Sequence, residues 1–463
     1  MKNWLVWMPI GFYLIWVMIQ WIRSWGVNLK DMAGYMIAGR HLSLPGLVAS
    51  LVTGWYGGIL GVGEYSFNYG ISSWLVFGVP YYLAAILFAF FLSGRIRKSR
   101  MLTIPEQLEH FYGRKVSILG AGIIFIQSVP AAYILELGIL IRFVTGWPLM
   151  TCIILGALGS TGYLFAGGFR MMVRNHLVQF GLMFLGFAMI LAMCRYRFGG
   201  WEYLQQAADP HMFTWHGGNK PIVILIWYFL ALSTLAEPLF YQQSAAARNP
   251  AVARWGILIS VLFWILFDFM TSFTGIYAHA ILHQIPDPVM AYPMLSQKIL
   301  PPLLHGIFIC SMLAVIMSTI DSFAFISGVT IGRDILHKLA PDSIQSGKNQ
   351  KGLIQIGLIL SSLFAIMIAS LSDSVVQIWY GIGSIGIPAI LVPVVSSYSR
   401  YPISRRSAAI IILGSSSLSL FWLATPLLFR QEGYLGGIEP VFPGLVWAML
   451  VWGLSRIRAL RSV

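Results

Sequence analysis

Charge is scarce in this chain. Only 10% of its 463 residues are Asp, Glu, Lys or Arg, against 58% hydrophobic. That excludes a solvated globular surface over most of its length. The three cysteines, Cys152, Cys194 and Cys310, are scattered and form neither a disulfide framework nor a metal-ligand pattern. The nine histidines are dispersed, and no His/Cys/carboxylate cluster has catalytic or metal spacing, so no enzyme is expected. No long Pro/Ser linker or low-complexity tract divides the chain. The longest connections are about 195–220 and 332–351, which makes residues 1–463 a single membrane domain.

What the chain has instead is apolar runs of about 20 residues, each long enough to cross a bilayer. Thirteen spans are expected, roughly 4–23, 46–69, 73–92, 117–143, 148–167, 174–194, 221–243, 252–281, 302–327, 353–371, 375–397, 408–429 and 440–455. The first lacks a basic leader and a small-residue cleavage site, and reads as a retained helix. The net charge of +14 suggests nucleic acid, but its placement does not. Basic residues crowd every second loop, as at Arg95–Arg100, Arg170 and Arg174, Arg248 and Arg254, and Arg400–Arg406. The intervening loops hold few, such as Arg142, Lys220, Lys298 and Arg430. The alternation supports an odd number of spans, with the N-terminus outside and the C-terminus cytoplasmic. The lipid bilayer is the expected environment; neither nucleic acid nor an obligate protein partner is.

One span is built against its own helix. Gly54, Gly57, Gly58, Gly61 and Gly63 fall within SLVTGWYGGILGVGEYSFNYG, and each glycine costs a helix interior about 1 kcal/mol relative to alanine. Close helix packing by small residues is one use of such a segment. The other is a broken helix, whose freed backbone groups make ion and solute sites near the bilayer midplane. A second interruption is expected at Glu237-Pro238, because proline removes a donor and clashes with the preceding turn. Four spans separate the two. Two broken helices at matching places in two five-helix halves point to an inverted-repeat (5+5) transporter core at about 46–397, with one helix before it and two after.

Five acidic residues fall inside spans: Glu64, Glu136, Glu237, Asp268 and Asp321. An Asp at the centre of a membrane helix costs at least ~2.5–3.5 kcal/mol, so such groups face a cavity, meet a cation, titrate, or are hydrogen-bonded to fix packing. In the ninth span, Ser318, Thr319, Asp321 and Ser322 interrupt an apolar helix. Their hydroxyls suit a hard monovalent cation, with carbonyls of a broken helix completing its shell. The structural alternative is that they bond back to their own helix.

These motifs resemble the sodium:solute symporter family over about residues 34–335. The resemblance runs through YMIAGR at 35–40, the glycine-rich segment, LTIPEQLEHFYGRK at 102–115, GGFRMMVRNHLVQFGLM, PLFYQQSAAARNPAVARWG at 238–256 and, most specifically, AVIMSTIDS at 314–322. It implies an all-α polytopic membrane protein of leucine-transporter type, coupled to sodium. By position, the implied sodium ligands are the carbonyls of Leu51, Gly54 and Val315 and the hydroxyls of Ser318 and Thr319. The chain departs from the family at His176, where an Asp is usual three residues before Gln179, with Asn175 in place of Thr. It departs again at Trp55 and Tyr56, where small residues are common. A histidine titrates near neutrality and would bring proton sensitivity; the alternative is a satisfied polar residue at the cytoplasmic end of its helix.

The expected function is sodium-coupled import of a small organic solute by alternating access across a bacterial inner membrane. Trp55, Tyr56, Gly57, Gly58, Glu64 and Glu237 are the candidate solute residues, and they suit a cationic or zwitterionic amine. Two alternatives are a proton-coupled transporter on the same fold and a transporter-like solute sensor. The chain reaches Arg461-Ser462-Val463 soon after its last span, where sensors of this kind carry an appended domain, so transport is the expectation.

Overall fold

The computed structural model describes residues 4–25, 32–340, 350–372 and 374–461. Among these, every named element is helical, and a single isolated bridge joins Leu42 to Ala247. Ten helices are long and apolar enough to cross a membrane, or eleven with Leu44–Trp55 and Ile59–Tyr69 taken as one bent span. The expected count of thirteen is reached only by adding two shorter apolar helices, Leu149–Thr161 and Val441–Ile457. At 1.5 Å per residue, the first of these rises about 20 Å, short of a ~30 Å hydrocarbon core. The expected connection at 332–351 is described only in part, since 341–349 lie outside the described residues.

The helices that position the site are α1 (Trp4–Trp25), α2 (Leu44–Trp55), α3 (Ile59–Tyr69), α4 (Trp74–Ser99), α5 (Arg114–Ser128), α6 (Ala131–Thr145), α7 (Leu149–Thr161), α8 (Leu164–Phe198), α9 (Pro221–Ala231), α10 (Pro238–Ala246), α11 (Pro250–Leu282), α12 (Ala291–Ile299), α13 (Pro302–Val329), α14 (Gln350–Ser370) and α15 (Val375–Ser397). α12 sits in a connection where no helix was expected. α13 is the axis of the bundle, buried at every residue from Phe308 to Val329 and packed against α1, α2, α6, α8 and α14. α1 lies on the periphery. It buries Val6, Ile10, Tyr13 and Val17, a three-to-four-residue repeat, and exposes much of the rest to lipid.

The chain breaks at both expected places. α2 starts on a Ser43 cap that accepts from the Gly46 amide at 3.3 Å. It ends at Tyr56, and α3 leaves at 62°. At the second break a 3₁₀ turn, Leu232–Ala236, leads to Glu237, whose ψ of 122° is extended, and α10 begins at Pro238. A third break was not anticipated. The expected span 117–143 is divided at Val129-Pro130, where Val129 takes ψ 123°. The cause is the same in both: proline excludes the helical conformation from the residue before it.

The ends of the two expected broken helices that lie away from the breaks are joined through the main chain. The Leu42 amide donates to Ala246 O at 3.1 Å, and the Arg248 amide donates to Leu42 O at 3.0 Å. Arg97 caps the pair by donating to the carbonyls of Ala247 and Arg248.

Candidate functional site

The end of α2 lies against the small polar cluster of α13. A helix leaves its last four carbonyls without intrahelical partners, and here other helices take up two of them. The Thr53 carbonyl accepts from the hydroxyls of Ser318 and Thr319, each at 3.0 Å. The Val52 carbonyl accepts from Trp264 Nε1 at 3.4 Å. Both hydroxyls also reach Val315 O, at 2.7 and 3.5 Å. So the back-bonding alternative and the inter-helix one hold together: each hydroxyl touches its own helix and the broken end of another. Leu51 and Gly54 on α2 and Val315, Ser318 and Thr319 on α13 are all buried, and the two helices pack against each other. Glycine makes the approach possible. A Cβ at Gly54 would fall 2.5 Å from Ser322 Oγ, and one at Gly57 would overlap Thr319.

All three breaks border one cavity of about 210 Å³. Tyr56 and Gly58 line it from the first, Glu237 from the second and Val129 from the third. Trp55 lines it too, whereas Gly57 is turned to Thr319. Glu64 does not line it. Six residues beyond Gly58, it has climbed about 9 Å along α3 and is half-buried there. Residues that sequence reading missed complete the wall: Trp227 and Trp264 from α9 and α11, Tyr133 from α6, and Trp379 from α15. Trp379 rests on the break itself, since a Cβ at Gly58 would overlap its ring.

The in-span carboxyl groups sort into separate tasks. Glu136 Oε1 accepts from the Gly61 amide at 3.3 Å and so caps the first turn of α3, whose own cap position, Gly58, has no side chain to offer. Asp268 accepts from the hydroxyls of both Tyr56 and Tyr82, and Tyr56 also meets Thr271 Oγ1 at 2.9 Å. Asp321 accepts from Tyr163. Glu136 Oε2, Asp321 Oδ1 and Glu237 Oε1 are each buried with no hydrogen-bond partner, and of these three residues only Glu237 lines the cavity.

His176 is fully buried on α8, with Nδ1 2.9 Å from Ser50 Oγ. Ser50 also accepts from Gln243 Nε2 at 2.8 Å. The histidine is therefore wired to α2 one turn before Gly54, and to α10 beyond the Glu237 break. It is not a free group at the membrane surface.

A family model described as the sodium:solute symporter family matches residues 35–398. The osmoregulated proline transporter OpuE of Bacillus subtilis (strain 168) is 24% identical, covering 95% of this chain and 92% of its own. The sodium/pantothenate symporter of Haemophilus influenzae is 22% identical over 77% of this chain and 75% of its own. Among solved structures, a Na+-coupled sialic acid symporter in a substrate-bound outward-open state superposes with a TM-score of 0.78 at 15% identity, covering 99% of this chain and 97% of that one. The chain shares that fold, the leucine-transporter type.

Proposed function

We propose, for a chain that belongs to the sodium:solute symporter family and so takes sodium as its co-transported ion, that the ion binds where α2 breaks against α13. The solute then binds in the cavity bordered by the three breaks. The observation that carries the reading is the convergence of Ser318 and Thr319 on the Thr53 carbonyl. Hydroxyl and carbonyl oxygens already face one another there, so an ion replaces hydrogen bonds with neutral oxygen ligands and needs no buried counter-charge. The carbonyls of Leu51, Gly54 and Val315, with the two hydroxyls, are the proposed ligands. Sodium would bind first, draw α2 onto α13 and fix the wall formed by Trp55, Tyr56 and Gly58. The solute is a cationic or zwitterionic amine, with Glu237 as its counter-ion. The protein is an integral membrane protein, with its N-terminus outside and its C-terminus cytoplasmic in this reading.

The test needs no solute. The melting temperature of the purified protein should rise with sodium and not with potassium at equal ionic strength. A ligand at ~100-fold excess over Kd, bound only by the folded state, adds about 2.7 kcal/mol. Ser318→Ala and Thr319→Ala should each reduce the gain. A melting temperature indifferent to sodium, or a sodium effect untouched by both substitutions, refutes the proposed ion site. Stabilisation by acid in place of sodium, abolished by His176→Ala, would establish proton coupling.

A further inference from the structure

The polar inventory of the central cavity is lopsided. Two carboxyl groups, Glu237 and Asp268, line it, and among the described residues no Lys, Arg or His does. Asp268 is engaged internally, since Tyr56 and Tyr82 both donate to it. Glu237 Oε1 is buried and unpartnered. An unmatched carboxylate in a low-dielectric cavity favours a single positive charge. A zwitterion would bring a second carboxylate into the same space with no cationic side chain to meet it.

Much of the rest of the wall is aromatic, interspersed with aliphatic residues and with Gln127 and Ser233. Trp55 meets Tyr81 edge-on at 6.1 Å between ring centroids, and Tyr133 lies 5.9 Å from Trp379. With Trp227 and Trp264, these rings enclose the space between the breaks. Such faces attract a cation without supplying hydrogen-bond acceptors. A primary ammonium carries three N–H donors, each costly to bury unpaired. Against them the wall offers two buried, unpartnered carbonyl-type oxygens, Glu237 Oε1 and Gln127 Oε1. Methyl groups replace the donors with surface that packs on rings.

We propose that the cavity takes a methylated, permanently charged ammonium cation, held on the Trp and Tyr faces with Glu237 as counter-ion. This rests on the symporter reading and narrows its amine class to quaternary ammonium. Asp268 is a positioning residue here, fixing Tyr56 and Tyr82 as two sides of the enclosure.

The test is binding to the purified full chain in sodium, read by intrinsic tryptophan fluorescence and by melting temperature. Tetramethylammonium is the probe; methylammonium, glycine and tert-butanol are the comparators. Tetramethylammonium should bind at least about tenfold tighter than methylammonium, the other two should not saturate, and Trp379→Leu should weaken it by about tenfold. Trp379→Phe, which keeps a ring, should restore most of that loss, and it carries the test if the leucine variant no longer responds to sodium. Methylammonium or glycine binding as tightly as tetramethylammonium overturns the proposal. A protein that sodium stabilises but that gives no saturable response to tetramethylammonium also overturns it, while leaving the symporter reading intact. Loss of the sodium response in the unsubstituted protein overturns both.

Discussion

At Tyr56–Gly58 the chain is interrupted by leaving out side chains, and at Glu237-Pro238 by leaving out a backbone donor. The first interruption lets another helix come close. Gly54 and Gly57 allow Ser322 and Thr319 of α13 to lie against the α2 end, and the freed Thr53 carbonyl meets two hydroxyls. The second keeps its neighbours at a distance and exposes a side chain instead. Pro238 turns the backbone, and Glu237 is left at the mouth of a new helix with an oxygen unpartnered. A glycine break therefore gathers neutral oxygens at short range, which suits a small bare ion. A proline break presents a charge across an open space, which suits an organic one. In the proposed reading, the ion would use the first kind of break and the solute the second.

The comparison is most sharply broken at Gly57. Gly57→Val puts a branched side chain into Thr319, and overpacking of this kind costs roughly 1–3 kcal/mol. Sodium-driven uptake in proteoliposomes should fall to about a tenth or less, while Gly122→Ala, which meets nothing within 4 Å, should leave uptake unchanged. Wild-type uptake by Gly57→Val would show that the close approach is dispensable. Glu237→Gln comes next. It should weaken a cationic solute by about tenfold, the scale of one lost charge contact, and leave sodium stabilisation in place. Equal weakening of cationic and neutral solutes would remove Glu237 from charge recognition.

Smaller effects test the supports. Glu136→Gln keeps an acceptor for the Gly61 amide, so stability should drop by no more than about 1 kcal/mol with no change in preference for sodium over potassium. A changed ion preference would place Glu136 in the ion path. Pro238→Ala should have the smallest effect, under about 1 kcal/mol in thermal stability. The Glu237 carboxylate still begins a helix whose other end is tied to Leu42.

Much of this contrast was legible in the sequence because glycine and proline act on the backbone where they stand. Gly54, Gly57 and Pro238 could be read without knowing their neighbours. Pro130 could have been read by the same rule, but a single proline within a long apolar run is common in membrane helices, and Val129 carries no charge to draw notice. Trp55, Tyr56, Gly58 and Glu237 of the cavity wall were legible, but its other aromatics were not. Trp227, Trp264 and Trp379 lie on three separate helices, and in an apolar span a tryptophan facing a cavity looks like one facing lipid. Glu64 shows the opposite error. It is near the break in the chain but a turn and a half along the helix from it in space, and chain distance says nothing about which face of a helix a residue occupies. The count of thirteen is not confirmed: among the described residues ten or eleven helices are long and apolar enough to cross, and Leu149–Thr161 and Val441–Ile457 are apolar but shorter.

The lacing of Leu42 to Ala246 and Arg248 has a mechanical consequence. It couples the segments of both broken helices that lie away from the breaks through main-chain atoms. In the proposed transport cycle the two segments would move as one arm with a pivot at each break. An inward opening that carries them together keeps both hydrogen bonds, whereas one that parts them loses both at once. Amide exchange at Leu42 and Arg248 should therefore stay slow, and change in step, through every stage of the transport cycle.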